Sequence, residues 1–368
     1  MKGREVEALL EDEYKVKLDP YEEGDETVSF DKLLIASGAS YFVPPIRNLK
    51  YADNVFGFRD LSDIAEIERA IEKYGSKVAI IGGGLVGVDV ACGLCARKLD
   101  VTVIEMEQRL MPLQLDEYVS DKYKRAFEEK GCKILLGRQV KTAETDQWEC
   151  VRRLVFSNGE SVQCDVVIVA VSVKPQMDFL NGSSIQALHM NYYSQNILSR
   201  FLKKTDISVD KGLKVDAYLM TSLRDIYGAG DVTGISSIWP DARAMGICAA
   251  RNMCGRAEPY KDLFPDKNSA VFWGIKSVSL GKINVNPESY EILVHRTEKS
   301  YKKIILKEGY LEGVLMEGDI SNAGVYLYAL RERVPVAGLL DHIFRLSFAD
   351  FYGADPITGA YIYKSLKN

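Results

Sequence analysis

The stretch Val78-Ala79-Ile80-Ile81-Gly82-Gly83-Gly84-Leu85-Val86-Gly87-Val88-Asp89-Val90-Ala91 decides the fold, together with Val101-Thr102-Val103-Ile104-Glu105 that follows it. Val78 to Ile81 are four apolar residues in a row, the pattern of a strand buried on both faces. Gly82, Gly84 and Gly87 then stand at G-x-G-x-x-G spacing ahead of a helical stretch. The first glycine permits a tight turn, the second lets backbone N–H groups reach a pyrophosphate, and the third lets the helix lie close on the strand. The helix N-terminus then faces the anion with the positive end of its dipole. The second strand ends in Glu105, where a carboxylate can accept from the adenosine ribose 2′-hydroxyl and repel a 2′-phosphate. The unit predicts an α/β domain that binds NAD(H) in preference to NADP(H).

At 368 residues the chain exceeds one ordinary core, so two or three domains are expected. With 47% hydrophobic residues, 27% charged residues and a net charge of −5, nothing points to nucleic acid or to an anionic membrane surface. The start, Met1-Lys2-Gly3-Arg4-Glu5, has no apolar core, and the longest apolar runs, such as Val166 to Val171, are strand length. Neither a signal peptide nor a membrane span is expected, and the location expected is cytoplasmic. The seven cysteines are scattered and odd in number, which argues against a secreted disulfide framework. Cys92 and Cys95 form a C-x-x-C inside the helix after the glycine turn, and read as small residues packing that helix, with a redox pair as the alternative. His189, His295 and His342 are far apart and have no ligand at motif spacing, so no metal site is expected.

Working outward, Tyr14 to Leu18 and Thr27 to Phe30 read as strands around the acidic turn Glu22-Glu23-Gly24-Asp25, and run into Asp31-Lys32-Leu33-Leu34-Ile35-Ala36-Ser37-Gly38. The same form returns as Leu154 to Phe156, Asn158-Gly159, Ser161 to Cys164, then Asp165-Val166-Val167-Ile168-Val169-Ala170-Val171-Ser172. Asp31 aligns with Asp165 and Gly38 with Ser172 at one and the same offset, so a closing strand unit repeats. In the second copy the glycine turn at Gly82 lies well upstream of its closing aspartate, Asp165. The same interval before Asp31 falls ahead of Met1, so the chain is expected to begin partway through a first nucleotide-binding domain.

After Gly38, Tyr41 to Ile46 is an extended, proline-containing linker that marks a boundary. Helices are predicted over Asp60 to Tyr74, with Ile64, Ile67 and Ile71 on one face, and over Asp116 to Lys130, stopped by Gly131. A strand follows at Lys133 to Leu136. Asn181 to Lys204 is a long polar stretch, read as a surface insertion or a functional lid. Asp225-Ile226-Tyr227-Gly228-Ala229-Gly230-Asp231-Val232 is a short strand leading into a glycine turn with an acid, and Trp239-Pro240 opens a helix through Asn252. From Pro265 onward, strands at Ala270 to Ile275, Glu291 to His295, Lys303 to Lys307 and Gly313 to Glu317, with a helix at Ser321 to Arg331, make a C-terminal α+β domain.

Together these residues resemble the FAD- and NAD(P)H-dependent pyridine nucleotide-disulfide oxidoreductase superfamily. Asp31 to Gly38 looks like that family's Asp-x-Leu-hydrophobic-hydrophobic-Ala-Thr-Gly signature, with Ser37 in the threonine place, and Asp225 to Val232 looks like its second FAD signature. Arg109-Leu110-Met111-Pro112, Gln114-Leu115-Asp116 and Trp239-Pro240 are most similar to the NADH:rubredoxin reductase and nitrite reductase flavoprotein branch. Leu311 to Asp319 resembles that branch's small terminal domain. The resemblance implies two Rossmann-like nucleotide-binding domains plus the small C-terminal α+β domain. The divisions are a residual FAD-binding domain at 1–45 and 176–262, an NAD(H)-binding domain at 46–175, and the C-terminal domain at 263–368.

The activity implied is an FAD-dependent NAD(P)H oxidoreductase that passes electrons from NADH through flavin to a rubredoxin-like protein or another acceptor. Gly82, Gly84, Gly87 and Glu105 would hold NADH, with Asp89 in the family's usual glutamate place near the nicotinamide. Ala36, Gly38, Gly230 and Asp231 would hold FAD, with Trp239 and Pro240 opening a helix whose dipole steadies charge on reduced flavin. The family's first G-x-G-x-x-G is absent, Ser172 replaces a usual glycine, and no cysteine precedes Cys92. Another chain that completes the FAD domain is therefore an expected partner, and a catalytically silent NAD(H)-binding subunit or sensor is the alternative function.

Overall fold

The computed structural model describes residues 3–19, 26–185, 187–189, 210–261, 267–355, 357–359 and 361–363. The acidic turn expected at Glu22 to Asp25 and most of the stretch Asn181 to Lys204 lie outside the described residues. The chain divides into two units, one of residues 1–44 and 172–263 and one of residues 45–171 and 264–368.

The first stretch holds β1 (Val6–Leu10), β2 (Lys15–Leu18) and β3 (Glu26–Ser29) as an antiparallel meander, then β4 (Leu33–Ile35) and β5 (Ala39–Tyr41). The second unit opens with β6 (Val55–Phe56), α1 (Leu61–Tyr74), β7 (Lys77–Ile81), α2 (Leu85–Ala96), β8 (Asp100–Ile104), α3 (Glu117–Glu129) and β9 (Lys133–Leu135). A meander of β10 (Val140–Thr145), β11 (Val151–Phe156) and β12 (Ser161–Gln163) leads to β13 (Val166–Val169). The parallel sheet runs β6-β13-β7-β8-β9. Returning to the first unit, β14 (Val173–Pro175) pairs with β5, β15 (Ala187–His189) pairs with β16 (Asp210–Leu213), and β17 (Ile226–Gly228) runs parallel to β4 ahead of α4 (Trp239–Met253). The second unit continues through β18 (Lys267–Phe272), β19 (Ile275–Gly281), β20 (Glu291–Arg296), β21 (Tyr301–Lys307) and β22 (Tyr310–Glu317), an antiparallel sheet of order β18-β19-β22-β21-β20, with α5 (Ala323–Arg331) against it, and then a short antiparallel pair, β23 (Tyr352–Ala354) with β24 (Tyr361–Tyr363).

Local chemistry explains most of these elements. Asp60 caps α1, its side chain accepting from the Ser62 and Asp63 N–H groups, while Asp63 accepts in return from the Asp60 N–H at 3.1 Å. A box of this kind stabilises a helix start by about 1 kcal/mol. Val78, Ile80, Val101, Val103 and Val166 to Val169 are all buried, because helices or loops cover both faces of a parallel sheet. Each such side chain contributes roughly 1.5 to 3 kcal/mol of transfer free energy. Asp116 caps α3, and Tyr123 and Phe127 on its inner face are fully buried. The Tyr123 hydroxyl lies 3.2 Å from the carbonyls of Ala270 and Ile275 and 2.9 Å from Ser277 Oγ, so α3 is fastened to the β18–β19 hairpin.

One expected element is corrected. Ala270 to Ile275 is not a single strand but a hairpin, in which Phe272 pairs with Ile275 across Trp273 and Gly274. Both turn residues have positive φ, +52° and +83°, as a two-residue hairpin turn of this hand requires. Gly274 signals such a turn, whereas a bulky residue at Trp273 hides it.

The repeat is structural. β1, β3, β4 and β5 recur as β10, β12, β13 and β14 at the offset that relates Asp31 to Asp165. β5 and β14 pair antiparallel, with Ser40 opposite Lys174. The flanking bonds repeat too: the Gln176 N–H donates to Gly38 O at 3.0 Å and the Phe42 N–H to Ser172 O at 3.1 Å. A local pseudo-twofold therefore passes between the two copies of this strand.

Asn54, fully buried, ties β11 and β13 to β6. Its Nδ2 donates to the carbonyls of Val151 (2.8 Å) and Asp165 (2.7 Å), and its Oδ1 accepts from the Val151 N–H at 2.8 Å. Replacing it with alanine strands two buried backbone groups and one part-buried one, so Asn54→Ala is expected to lower unfolding stability by about 3 kcal/mol. Urea denaturation checks this, and a loss under about 1 kcal/mol would show that relaxation or water satisfies those groups.

Candidate nucleotide-binding sites

In the second unit the glycine turn sits between the end of β7 and the start of α2. Gly82 has φ +111°, and a Cβ there would lie 2.5 Å from Ala170 O at the end of β13. Its N–H donates to Ile104 O at 2.8 Å. A Cβ on Gly87 would lie 1.9 Å from Gly82 O, a distance no side chain tolerates, so helix and turn touch through backbone. Gly84 is the N-cap of α2 and has open space where a Cβ would be. No side chain caps that helix and no acid lies in its first turn. Its first N–H groups and the positive end of its dipole are thus left for an anion.

Glu105 follows β8 and is only 4% exposed. Its Oε2 accepts from the Gly83 N–H at 2.7 Å and its Oε1 from the Glu107 N–H at 2.8 Å. Burial pushes its carboxyl above the usual carboxylate range, and those N–H bonds oppose the shift. Asp89 lies exposed on α2, one turn beyond Val86. Gly82, Gly84, Gly87 and Glu105 are thus gathered at the carboxyl ends of β7 and β8, where open α/β sheets bind ligands. The arrangement fits a dinucleotide pyrophosphate, since the two close contacts admit only glycine and the uncapped helix start supplies donors.

The first unit gathers the other predicted residues at the carboxyl ends of β4 and β17. Ala36 and Gly38 follow β4, Gly38 with φ +71°, and the Ala229 N–H donates to Ile35 O at 3.0 Å. Gly230 has φ +80°, and Asp231 opens a single 3-10 turn directly after it. The helix α4 also lacks a side-chain cap, and Trp239 at its start is 78% exposed, with Pro240 exposed beside it. These residues are gathered at one strand-end cluster, where the family resemblance implies the ribityl side of FAD; the first unit's sequence contains no G-x-G-x-x-G. Sequence reasoning misses Asp241, a buried acid in the first turn of α4, and Met245, whose Sδ accepts from the Gly230 N–H at 3.3 Å. The Trp239-Pro240-Asp241 order is the available signal, because an acid in a first helical turn complements the dipole.

Residues 1–246 match the pyridine nucleotide-disulphide oxidoreductase family, and residues 271–334 match the rubredoxin NAD+ reductase C-terminal domain. The chain belongs to the pyridine nucleotide-disulphide oxidoreductase family, whose members use FAD and NAD(H). It is 29% identical over 321 residues to the NADH-dependent phenylglyoxylate dehydrogenase subunit epsilon of Aromatoleum evansii, covering 85% of this chain and 71% of that one. It is 27% identical to the nitrite reductase [NAD(P)H] of Bacillus subtilis (strain 168), covering 84% of this chain and 36% of that one. The NAD-dependent persulfide reductase from A. fulgidus shares the fold, with a TM-score of 0.77 at 21% identity over 92% of this chain and 63% of that one. The chain thus spans little more than a third of the nitrite reductase and under two thirds of the persulfide reductase. The expected family, its FAD/NAD(P)-binding fold with a C-terminal antiparallel sheet, and its NADH-dependent flavoprotein class are borne out.

Two glycines on one helix give a matched test. Gly87→Ala is expected to weaken NADH binding at least about tenfold, because a methyl against the Gly82 carbonyl must push the helix start off the turn. Gly93→Ala, exposed on the same helix with nothing within 4 Å of its Cβ, is expected to leave binding unchanged and to raise stability by up to about 1 kcal/mol. Fluorescence titration of NADH and thermal melts read both, and equal effects at the two positions would refute the close-contact argument.

Proposed function

We propose that this chain is an NADH-dependent flavoprotein oxidoreductase that delivers electrons to a redox partner protein, with a rubredoxin-like acceptor favoured. The observation that carries the reading is the uncapped start of α2 behind a turn whose Gly82 and Gly87 are glycine by contact. In this reading the α2 N–H groups and Gly84 hold the NADH pyrophosphate, Glu105 secures the turn beneath it, and Asp89 stands on the same helix toward the nicotinamide. Gly38, Gly230 and Asp231 hold the ribityl side of FAD, with Ala36, Trp239 and Pro240 around it. When bound, FAD supplies the redox chemistry, since it accepts two electrons together and releases them singly. The match of residues 271–334 to a rubredoxin reductase terminal domain supports a protein acceptor.

A parallel pair such as β4 and β17 is not stable alone, because parallel strands need neighbours and cover on both faces. We read the FAD site as completed by further strands beside that pair, supplied in the same polypeptide or by another chain. A cytoplasmic setting is supported by seven free cysteines, six of them wholly or partly buried, which suits a reducing compartment. Among the described residues no helix is long and apolar enough to cross a membrane.

The test is the visible spectrum of the purified chain with FAD, before and after anaerobic NADH. A flavin band that bleaches on NADH addition is expected, with Asp231→Asn retaining flavin about tenfold less tightly through loss of a charged acceptor. Tight NADH binding with no flavin uptake, even after a strand-bearing partner segment is supplied, would instead identify a silent NAD(H)-binding subunit.

A further inference from the structure

The loop from Arg109 to Asp116, most similar in sequence to the rubredoxin reductase and nitrite reductase branch, has no part in the sites described above. It nevertheless lies against the glycine turn. The Met111 N–H donates to Gly83 O at 2.8 Å, and a Cβ on Gly83 would lie 3.0 Å from Leu110 Cδ2. Met111 holds φ +47°, a left-handed conformation that a bulky residue rarely adopts. The conformation persists because the residue is held at several points. Its carbonyl accepts from the Gln114 and Leu115 N–H groups at 3.0 and 2.9 Å, and its side chain is fully buried.

The C-terminal antiparallel sheet domain holds the same loop. Asn284, just after β19, accepts from Arg109 Nη2 at 3.0 Å through Oδ1. Its Nδ2 donates to Pro112 O at 2.8 Å and, more weakly, to Leu115 O at 3.4 Å. One orientation of the amide satisfies these contacts, since a guanidinium only donates and a carbonyl only accepts. Arg109 otherwise donates to Pro112 O at 3.3 Å, and its Nε is buried with no acceptor among the described residues. Ile283, beside Asn284, is buried in the same apolar cluster as Leu110, Met111 and Leu115. A continuous path of contacts thus runs from Asn284 through Met111 to Gly83.

Resting on the NADH site proposed above, we propose that Asn284 is a positioning residue for NADH: it fixes the loop that fixes the glycine turn. The C-terminal domain thereby sets the geometry of the α2 start. A displaced turn misdirects the N–H groups that would meet the pyrophosphate, and hydrogen bonds weaken steeply with misalignment. Tyr301 provides the contrast. Its hydroxyl donates to Asp116 Oδ2 at 2.6 Å and so ties the same domain to the start of α3, which Asp116 caps. Losing either side chain loosens the domain contact, but only Asn284 lies on the path to the turn.

The test titrates the full chain with NADH by fluorescence, alongside thermal melts and amide hydrogen exchange. Asn284→Ala is expected to raise the NADH dissociation constant about fivefold and to speed exchange of the Met111 amide. Tyr301→Phe is expected to lower the melting temperature at least as far, while leaving the dissociation constant within about twofold. A merely structural role would move both affinities in step with the two stabilities. Should Asn284→Ala fail to fold, Asn284→Asp keeps the acceptor for Arg109, loses the donors to Pro112 and Leu115, and is expected to weaken NADH about threefold. Unchanged NADH binding in a folded Asn284 variant, or equal weakening in Tyr301→Phe, overturns the proposal while the NADH site stands. Failure of the unaltered chain to bind NADH overturns the site itself.

Discussion

The hydrogen bond from the Gly83 N–H to the Glu105 carboxylate, 2.7 Å long, is the joint on which the glycine-turn end of the second unit depends. A nearly enclosed carboxylate is tolerated only where donors answer its charge, and here the backbone of Gly83 and Glu107 does so. The Gly83 carbonyl in turn accepts from the Met111 N–H at 2.8 Å, which draws the loop over the turn and buries Leu110 and Met111. Turn, strand end and loop thus share one polar centre. Held from beneath in this way, the turn leaves the first N–H groups of α2 without a side-chain cap, on the side where the proposed dinucleotide would lie. The proposed binding surface is therefore a consequence of what the opposite surface is bonded to.

The same closing unit serves both halves of the chain, and the comparison shows what covers a strand end. In the alignment that pairs Asp31 with Asp165, Ala36 corresponds to Ala170. The Ala170 carbonyl lies against Gly82, close enough that only glycine fits there, and Ala170 is half-buried as a result. Ala36 is exposed. Two equivalent backbone positions differ in burial because one has a glycine turn packed on it among the described residues and the other does not. That difference is the structural counterpart of the motif pattern, and it supports the reading that the flavin half takes further strands alongside β4.

What is legible in the chain follows from where the information is local. α1 is legible because Asp60 and its apolar face carry both a start signal and a period. The glycine turn is legible because Gly82 and Gly87 are fixed by contacts within a short span. The β5–β14 pairing is not, since three-residue strands, one of them containing proline, have no alternation to read, and their partners lie far apart along the chain. Asn54 is equally silent: a lone asparagine near a strand looks like a turn residue until β11 and β13 close around it. Glu105 is recognisable by position but not by setting, because spacing along a sequence cannot say whether a carboxylate faces a ligand or a loop backbone.

The cysteines bear on how electrons can leave NADH. A redox C-x-x-C depends on a thiolate, which is favoured at a helix N-terminus and needs access to a partner. Cys92 and Cys95 instead lie in the last two turns of α2, where the dipole opposes negative charge. Burial pushes the Cys92 thiol up, and does the same to Cys164, to about 12. Cys95 is drawn down by its hydrogen bond with Cys132, but that bond pushes Cys132 strongly up, and both are enclosed in the apolar core. The pair therefore packs a helix and is poorly suited to exchange with a substrate disulfide. In a family named for disulphide chemistry, Cys92 and Cys95 are thus poorly placed to form a redox disulfide, and in the proposed reaction a bound FAD would supply the electron acceptor for NADH.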